Sequence, residues 1–412
     1  MRVVLVTYGS RGDVGPMTGL ALQLQALDAE VRVCAPPDFA ELLDRTDVPL
    51  TPVGWPIRAL ATGAVPGKAQ ARLSDIAAEL TAMAYEAVAG VAEGCAAVVA
   101  TGSFPAVAGA RAAAEKLGVP YVFTSFSPSY LPSPHHPPRP WPGQEVPAEV
   151  TDNRVLWDLN AEHMNALFGE TINTHRASIG LSPVDGIRDH VFTDHPFLAA
   201  DPVLGPWQET PELDVAQTGA WIRPDERPLP ADLEAFLAAG AEPVYVGFGS
   251  MPMRGANAQD VSRAVIQAVR TQGRRVLLGS GWADLALIDD RDNCFVVGEV
   301  NHQELFGRVA AVIHHGGAGT TVTAARAGAP QVIVPQVADQ PYWAGRVTEL
   351  GIGTGHDGPT PTAESLSAAL KITLAPETGA RAAVVAETVR ADGAELAAEL
   401  LLDMIGRSGS AG

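Results

Sequence analysis

Residues Arg2–Tyr8 form an almost continuous apolar run, and a glycine-bearing segment follows it at once. A strand without polar alternation has to be covered on both faces, as in a parallel sheet flanked by helices. The same rhythm recurs along the chain. After a helical stretch at Met17–Leu27, β-like runs follow at Glu30–Ala35, Leu50–Val53, Ala96–Ala100 and Tyr121–Ser125, the last two separated by the helical pattern Pro105–Leu117. A second alternation opens at Pro243–Gly249. It continues with a helix near Val261–Thr271, strands at Arg274–Leu278, Cys294–Val297 and Val309–His314, a helix from about Gly319, and a strand at Gln331–Val334. Strands alternating with helices predict an α/β fold with doubly wound parallel sheets. Two such series in 412 residues predict two domains. The proline-rich, polar stretch Asp201–Pro230 reads as the connection between them. The expected division is 1–204, a linker at 205–230, a second domain at 231–379, and a terminal helical segment at 380–412 that crosses back onto the first domain.

Composition excludes several classes of function. The formal net charge is −19, so the chain repels phosphate backbones and anionic lipid, and neither nucleic acid nor a membrane surface is expected as a partner. Cys34, Cys95 and Cys294 are odd in number and widely spaced, which fits a reduced, cytoplasmic protein. No run approaches the length of a transmembrane helix, and Val3–Tyr8 is too short for the core of a signal peptide.

The strongest motif is His314-His315-Gly316-Gly317-Ala318-Gly319-Thr320-Thr321, which follows one strand and opens a helix. Glycines let the backbone approach a ligand, and the free amides and dipole of a first helical turn favour an anion such as a diphosphate. Thr320, Thr321 and His315 add side-chain donors. A tight turn with two incidental histidines is the plainer alternative. Asp339-Gln340 follows the next strand, where ligands of open α/β sheets bind, although Asp339 could simply cap a helix. Ser250, just past Phe248-Gly249, is in reach of a phosphate, but Gly-Ser after a strand is also a common turn.

In the first half, Gly9-Ser10-Arg11-Gly12-Asp13-Val14-Gly15-Pro16 reads as a loop that carries a lone carboxylate, Asp13, at the end of the first strand. The glycines do not spell G-x-G-x-x-G, so a dinucleotide dehydrogenase is poorly supported. Asp13 is placed to act as a general base, or else to bond its own backbone. Pro128–Pro147, too rich in proline for a helix or a central strand, and Trp55–Arg72 read as loops that shape a binding surface. Asp290-Arg291-Asp292 is formally D-x-D but lies among turn residues, so no metal site is expected.

Gly9–Asp13, His315–Thr320 and Asp339-Gln340 occur together and in this order, and with them the chain resembles a family 1 glycosyltransferase of the GT-B fold. More narrowly it is similar to the enzymes that glycosylate vancomycin-group glycopeptide antibiotics, as Ser127–Pro134, Ala200–Leu204, Gln217–Trp221 and Gly298–Gln303 also suggest. The resemblance implies two facing Rossmann-like domains with a cleft between them, the first for an acceptor and the second for a nucleotide sugar. It implies inverting, metal-independent transfer without a cofactor, from a thymidine-diphospho (TDP) sugar such as vancosamine or epivancosamine, or from a glucose nucleotide, to a glycopeptide hydroxyl. Asp13 becomes the base, with Asp339 as sugar contact or second base candidate. The implied donor set is Ser10, Arg11, Ser250, the Val300 backbone at the nucleobase, His315, Gly316, Gly317, Ala318, Gly319, Thr320 and Gln340. A sugar-nucleotide epimerase or a non-transferring binding protein would share the donor site and need no acceptor.

Overall fold

The computed structural model describes the chain except residues 69, 70, 140, 142, 143, 145, 146, 148, 251–256, 284, 290, 411 and 412. Seven strands among the described residues form one parallel sheet: β1 (Arg2–Tyr8), β2 (Glu30–Ala35), β3 (Leu50–Pro52), β4 (Ala97–Gly102), β5 (Tyr121–Ser125), β6 (Phe197–Leu198) and β7 (Ala216–Gln217), in the order β3-β2-β1-β4-β5-β6-β7. Six more form a second: β8 (Val244–Gly247), β9 (Val276–Gly279), β10 (Cys294–Val297), β11 (Ala311–His314), β12 (Gln331–Ile333) and β13 (Gly353–Gly355), in the order β10-β9-β8-β11-β12-β13. Both are doubly wound, Rossmann-like sheets, as the alternating runs predict. Each has a topological switch, between β1 and β4 in the first and between β8 and β11 in the second, and ligands of open α/β sheets bind beyond the strand ends at such a point.

The apolar runs lack alternation because both faces of each sheet are covered. In the second sheet, Val244, Val246, Ile313 and Val332 pack into one core layer, while Tyr245, Leu277 and Val312, at the intervening positions, pack into the other. Each such side chain, removed from water, contributes roughly 1.5–3 kcal/mol.

The chain divides into two compact units: 1–200 with 207–223 and 391–412, and 201–206 with 224–390. Two expected boundaries therefore move. The stretch read as a linker is built into the units. Its β7 extends the first sheet, Gln217 Nε2 donates to the Ala200 carbonyl at 2.9 Å, and Trp221 is buried with its Nε1 on Thr218 Oγ1. Within the second unit, Asn301 Nδ2 donates to the carbonyls of Asp225 (2.7 Å) and Arg227 (3.0 Å). The terminal segment is two helices. Pro376–Ala386 belongs to the second unit, and the return starts at 391 with Gly393–Ser410, whose Ala394, Ala397, Ala398 and Leu401 join the core under Leu20 and Leu24.

The first helix starts at Arg11, six residues before its expected start, and runs to Ala26 with Pro16 inside it. The supposed loop Gly9–Pro16 is thus largely helical, which changes the setting of Asp13. Among the described residues, no helix is long and apolar enough to cross a membrane.

Candidate active site

Each unit has a glycine-rich helix start beside its topological switch, after β1 in the first and after β11 in the second, and the two starts differ. In the first unit the helix Arg11–Ala26 caps itself. Ser10 Oγ accepts the Gly12 amide at 3.1 Å, and Asp13 Oδ2 reaches back to the Ser10 amide at 2.8 Å. Ser10 Oγ also donates to Asp13 Oδ2 at 3.4 Å. This is a capping box. Gly9 is required by it, because a Cβ there would sit 2.2 Å from Asp13 Oδ2. The plainer reading of Asp13, a carboxylate bonding its own backbone, therefore holds at Oδ2. Arg11 is the first helical residue beside it.

In the second unit the helix Ala318–Arg326 follows β11 with Gly317 at its N-cap, a residue without a side chain to close the turn. The first helical bond is from the Thr321 amide to the Gly317 carbonyl, 3.0 Å. The amides of Ala318, Gly319 and Thr320 precede it and meet no helical carbonyl. Gly319 is exposed and the other two half-buried. The Thr321 hydroxyl donates to the Gly317 carbonyl at 3.0 Å and is thereby spent.

The residues expected around this turn converge on it from three strand ends. The His315 ring lies between two glycines: a Cβ on Gly249, past β8, would be 3.1 Å from its Cε1, and one on Gly317 would be 2.6 Å from its Nε2. Gly249 has φ +60°, a left-handed backbone that glycine adopts without strain, and it turns the chain into the half-buried Ser250. Residues 251–256 beyond it lie outside the described part. His315 Nδ1 is buried and has no hydrogen-bond partner, and burial holds the ring's pKa down to about 4, so the ring is neutral near pH 7. A buried, unpaired ring nitrogen is costly unless a ligand satisfies it. On the other side a Cβ on Gly316, φ +89°, would meet Ile333 Cγ2 at 2.5 Å and the Gln340 carbonyl oxygen at 3.3 Å.

Two expected donor contacts are occupied by the protein itself. The Gly316 amide donates to His314 Nδ1 at 3.1 Å. The Gln340 side-chain carbonyl accepts the amides of Gln336 (2.7 Å) and Val337 (3.0 Å), bracing the loop before it. Asp339 does not cap the helix Gln340–Glu349 with its side chain. Its Oδ2 accepts Trp343 Nε1 at 2.7 Å, and Trp343 is fully buried, so one carboxylate oxygen is fixed. Ala338 just before it has φ +63°, a strained backbone of the kind stored at functional sites. Val300 is buried between β10 and a short helix that Asn301 caps through the amides of Gln303 and Glu304. Sequence reading missed Trp343, although its i,i+4 spacing from Asp339 is a legible signal.

Ser10, Arg11 and Asp13 belong to the first unit and the other candidates to the second. Trp55 and Tyr130 also lie in the first unit. Lys68 Nζ stands 5.0 Å above the Trp55 ring, Tyr8 Oη donates to the Trp55 carbonyl at 3.0 Å, and Arg139 reaches Tyr130 Oη at 3.3 Å. The described part of Pro128–Pro147 packs on the helix Asn153–Ser178, with Trp141 against Phe168 and Trp157 Nε1 on the His136 carbonyl. Pro140, Pro142 and Gly143 lie outside the described residues, as does Asp290 of the D-x-D. Among the described residues, no three His, Cys, Asp or Glu side chains are grouped to hold a metal ion.

Comparison with known proteins supplies the lineage. Residues 3–134 match the glycosyltransferase family 28 N-terminal domain, and residues 283–400 match the C-terminal domain of erythromycin biosynthesis protein CIII-like proteins. Glycosyltransferase GtfE of Amycolatopsis orientalis is 54% identical, with 98% of each chain covered. The vancomycin aglycone glucosyltransferase of the same organism is 54% identical over 99% of this chain and 98% of its own, and its dTDP-epi-vancosaminyltransferase 51% identical over 98% of each. The chain belongs to the vancomycin-group glycopeptide glycosyltransferases. It is an enzyme of the GT-B fold. The solved glycosyltransferase of kitacinnamycin, 19% identical, shares that fold with a TM-score of 0.72 over 98% of each chain.

Proposed function

We propose that the protein transfers a hexosyl group from a nucleoside-diphosphate sugar, with TDP as the nucleotide, to a hydroxyl of a glycopeptide aglycone or pseudoaglycone, with inversion and without a metal. The observation that carries the donor half is the uncapped start of the helix Ala318–Arg326, with the unpaired His315 Nδ1 beside it. Three open amides and the positive end of a helix offer a diphosphate the charge stabilisation that metal-dependent transferases draw from a cation. Asp339, held in place by Trp343 Nε1 on its Oδ2, is read as the contact to the sugar. The acceptor half is supported by relatives more than half identical along nearly the whole chain, one of which is named for the vancomycin aglycone.

In this reading the acceptor hydroxyl attacks the anomeric carbon opposite the departing diphosphate. Asp13 takes the proton as general base, and charge on the leaving phosphate is met by the amides of Ala318, Gly319 and Thr320. Two donor sugars have a specific observation behind them: glucose, from the relative at 54% identity, and a vancosamine-type deoxyamino sugar, from the one at 51%.

The test is mass spectrometry of a glycopeptide aglycone and its glucosylated form after incubation with glucose and epivancosamine nucleotides, with and without excess chelator. The reading expects one added sugar in both conditions, with an anomeric configuration, read by NMR, opposite to that of the donor. No transfer from either donor, or transfer only with added Mg²⁺ or Mn²⁺, would contradict it.

A further inference from the structure

His314 precedes the turn and has no place among the donor contacts. It is fully buried at the end of β11, yet both of its ring nitrogens are bonded. Nδ1 lies 3.1 Å from the Gly316 amide and Nε2 lies 2.9 Å from Gln331 Oε1. Gln331, fully buried on β12, places its Nε2 3.3 Å from the Thr321 carbonyl oxygen. A backbone amide only donates, so Nδ1 is the acceptor and the ring proton is on Nε2. That proton goes to Gln331 Oε1, and the Gln331 NH₂ is left for the Thr321 carbonyl. Turning the carboxamide over would set a donor against a donor at His314 and an oxygen against an oxygen at Thr321. One tautomer and one amide orientation satisfy all three bonds, and the chain of donors runs Gly316 to His314 to Gln331 to Thr321. Burial, with His315 nearby, holds the His314 pKa down to about 3, in keeping with a neutral ring.

The relay joins the residue before the open helix start to a residue in its first turn. It passes through a neighbouring strand and fixes Gly316 in its left-handed conformation. It also separates the amides: Gly316 points back into the protein, while Ala318, Gly319 and Thr320 stay unpaired. We propose that His314, as the neutral Nε2-protonated ring, is a positioning residue for diphosphate binding: it spends the Gly316 amide internally and, through Gln331 and Thr321, sets the angle at which the next three amides meet the ligand. The proposal rests on the diphosphate reading of this turn.

Two substitutions separate the ring's two bonds. His314→Asn keeps an acceptor near the Nδ1 position and loses the donor, whereas His314→Gln keeps a donor near Nε2 and loses the acceptor for Gly316. Calorimetry with TDP and with thymidine alone, beside thermal melting, reads the result. TDP should bind His314→Gln about tenfold or more weakly and His314→Asn, which loses only the arm to Gln331 and Thr321, about threefold more weakly, with thymidine affinity unchanged in both. Donor KM should rise more than kcat falls. A residue that only packs the core would lower the melting temperature of both variants and leave TDP affinity of the folded protein at the wild-type value, and that pattern overturns the proposal. If wild-type protein binds TDP no more tightly than thymidine, the diphosphate reading falls and the proposal with it. Strong wild-type TDP binding matched by His314→Gln would remove the relay alone.

Discussion

The two helix starts beside the topological switches are built from similar glycine-rich sequence and have opposite chemistry. Gly9-Ser10-Arg11-Gly12-Asp13 supplies its own cap: a hydroxyl and a carboxylate occupy the amides that an anion would otherwise take. His315-Gly316-Gly317-Ala318-Gly319-Thr320 has glycine at the N-cap, so three amides stay open. A helix start satisfied from within has no need of an anion and can present a carboxylate oxygen, whereas an open one attracts an anion. The difference supports the proposal that proton removal falls to the first unit and the diphosphate to the second. It also weakens the expectation that Ser10 contacts the donor, because its hydroxyl is already engaged twice.

The largest expected effect breaks the first half of this comparison. Asn in place of Asp13 can still accept the Ser10 amide but cannot take a proton. Asp13→Asn should lower kcat by roughly 10²–10⁴-fold while TDP affinity and melting temperature change little. If kcat stays near the wild-type value, Asp13 is a cap and nothing more, and Asp339 becomes the base to test.

A smaller effect sharpens the second half. Gly319 has open space where a Cβ would be added, so Gly319→Asp gives the second helix start a carboxylate like the one the first already has. The helix should gain from losing a glycine and from an acid in its first turn, so the melting temperature should not fall. TDP affinity should drop by about 10²-fold, through repulsion and lost charge-assisted bonds. An unchanged Kd for TDP would place the diphosphate elsewhere.

Much of this was legible in the sequence because the relevant signals are local. Both-faced burial makes the strand runs continuous, and glycine beside hydroxyls at a strand end marks the open turn. The start of the first helix was not legible, because Gly12, Gly15 and Pro16 argue for a loop, and the Ser10–Asp13 box that overrides them is visible only as geometry. Strands of two or three residues, such as Phe197–Leu198, Ala216–Gln217 and Gly353–Gly355, carry no period to read. At Gly353 a Cβ would come within 1.9 Å of the Gln331 carbonyl oxygen, so close backbone packing, not apolar pattern, sets that edge. The relay from His314 to Gln331 spans 17 residues between neighbouring strands, and no sequence rule pairs the two.

The central claim, that the open helix start receives the diphosphate and the capped one does not, is tested most directly by amide ¹H–¹⁵N spectra of the wild-type protein titrated with TDP and, separately, with thymidine. The amides of Ala318, Gly319 and Thr320 should shift strongly with TDP and hardly with thymidine. Those of Ser10 and Gly12, bonded within the cap, and of Gly316, bonded to His314, should move much less. Large TDP shifts at Ser10 and Gly12, with Ala318–Thr320 unmoved, would contradict the account.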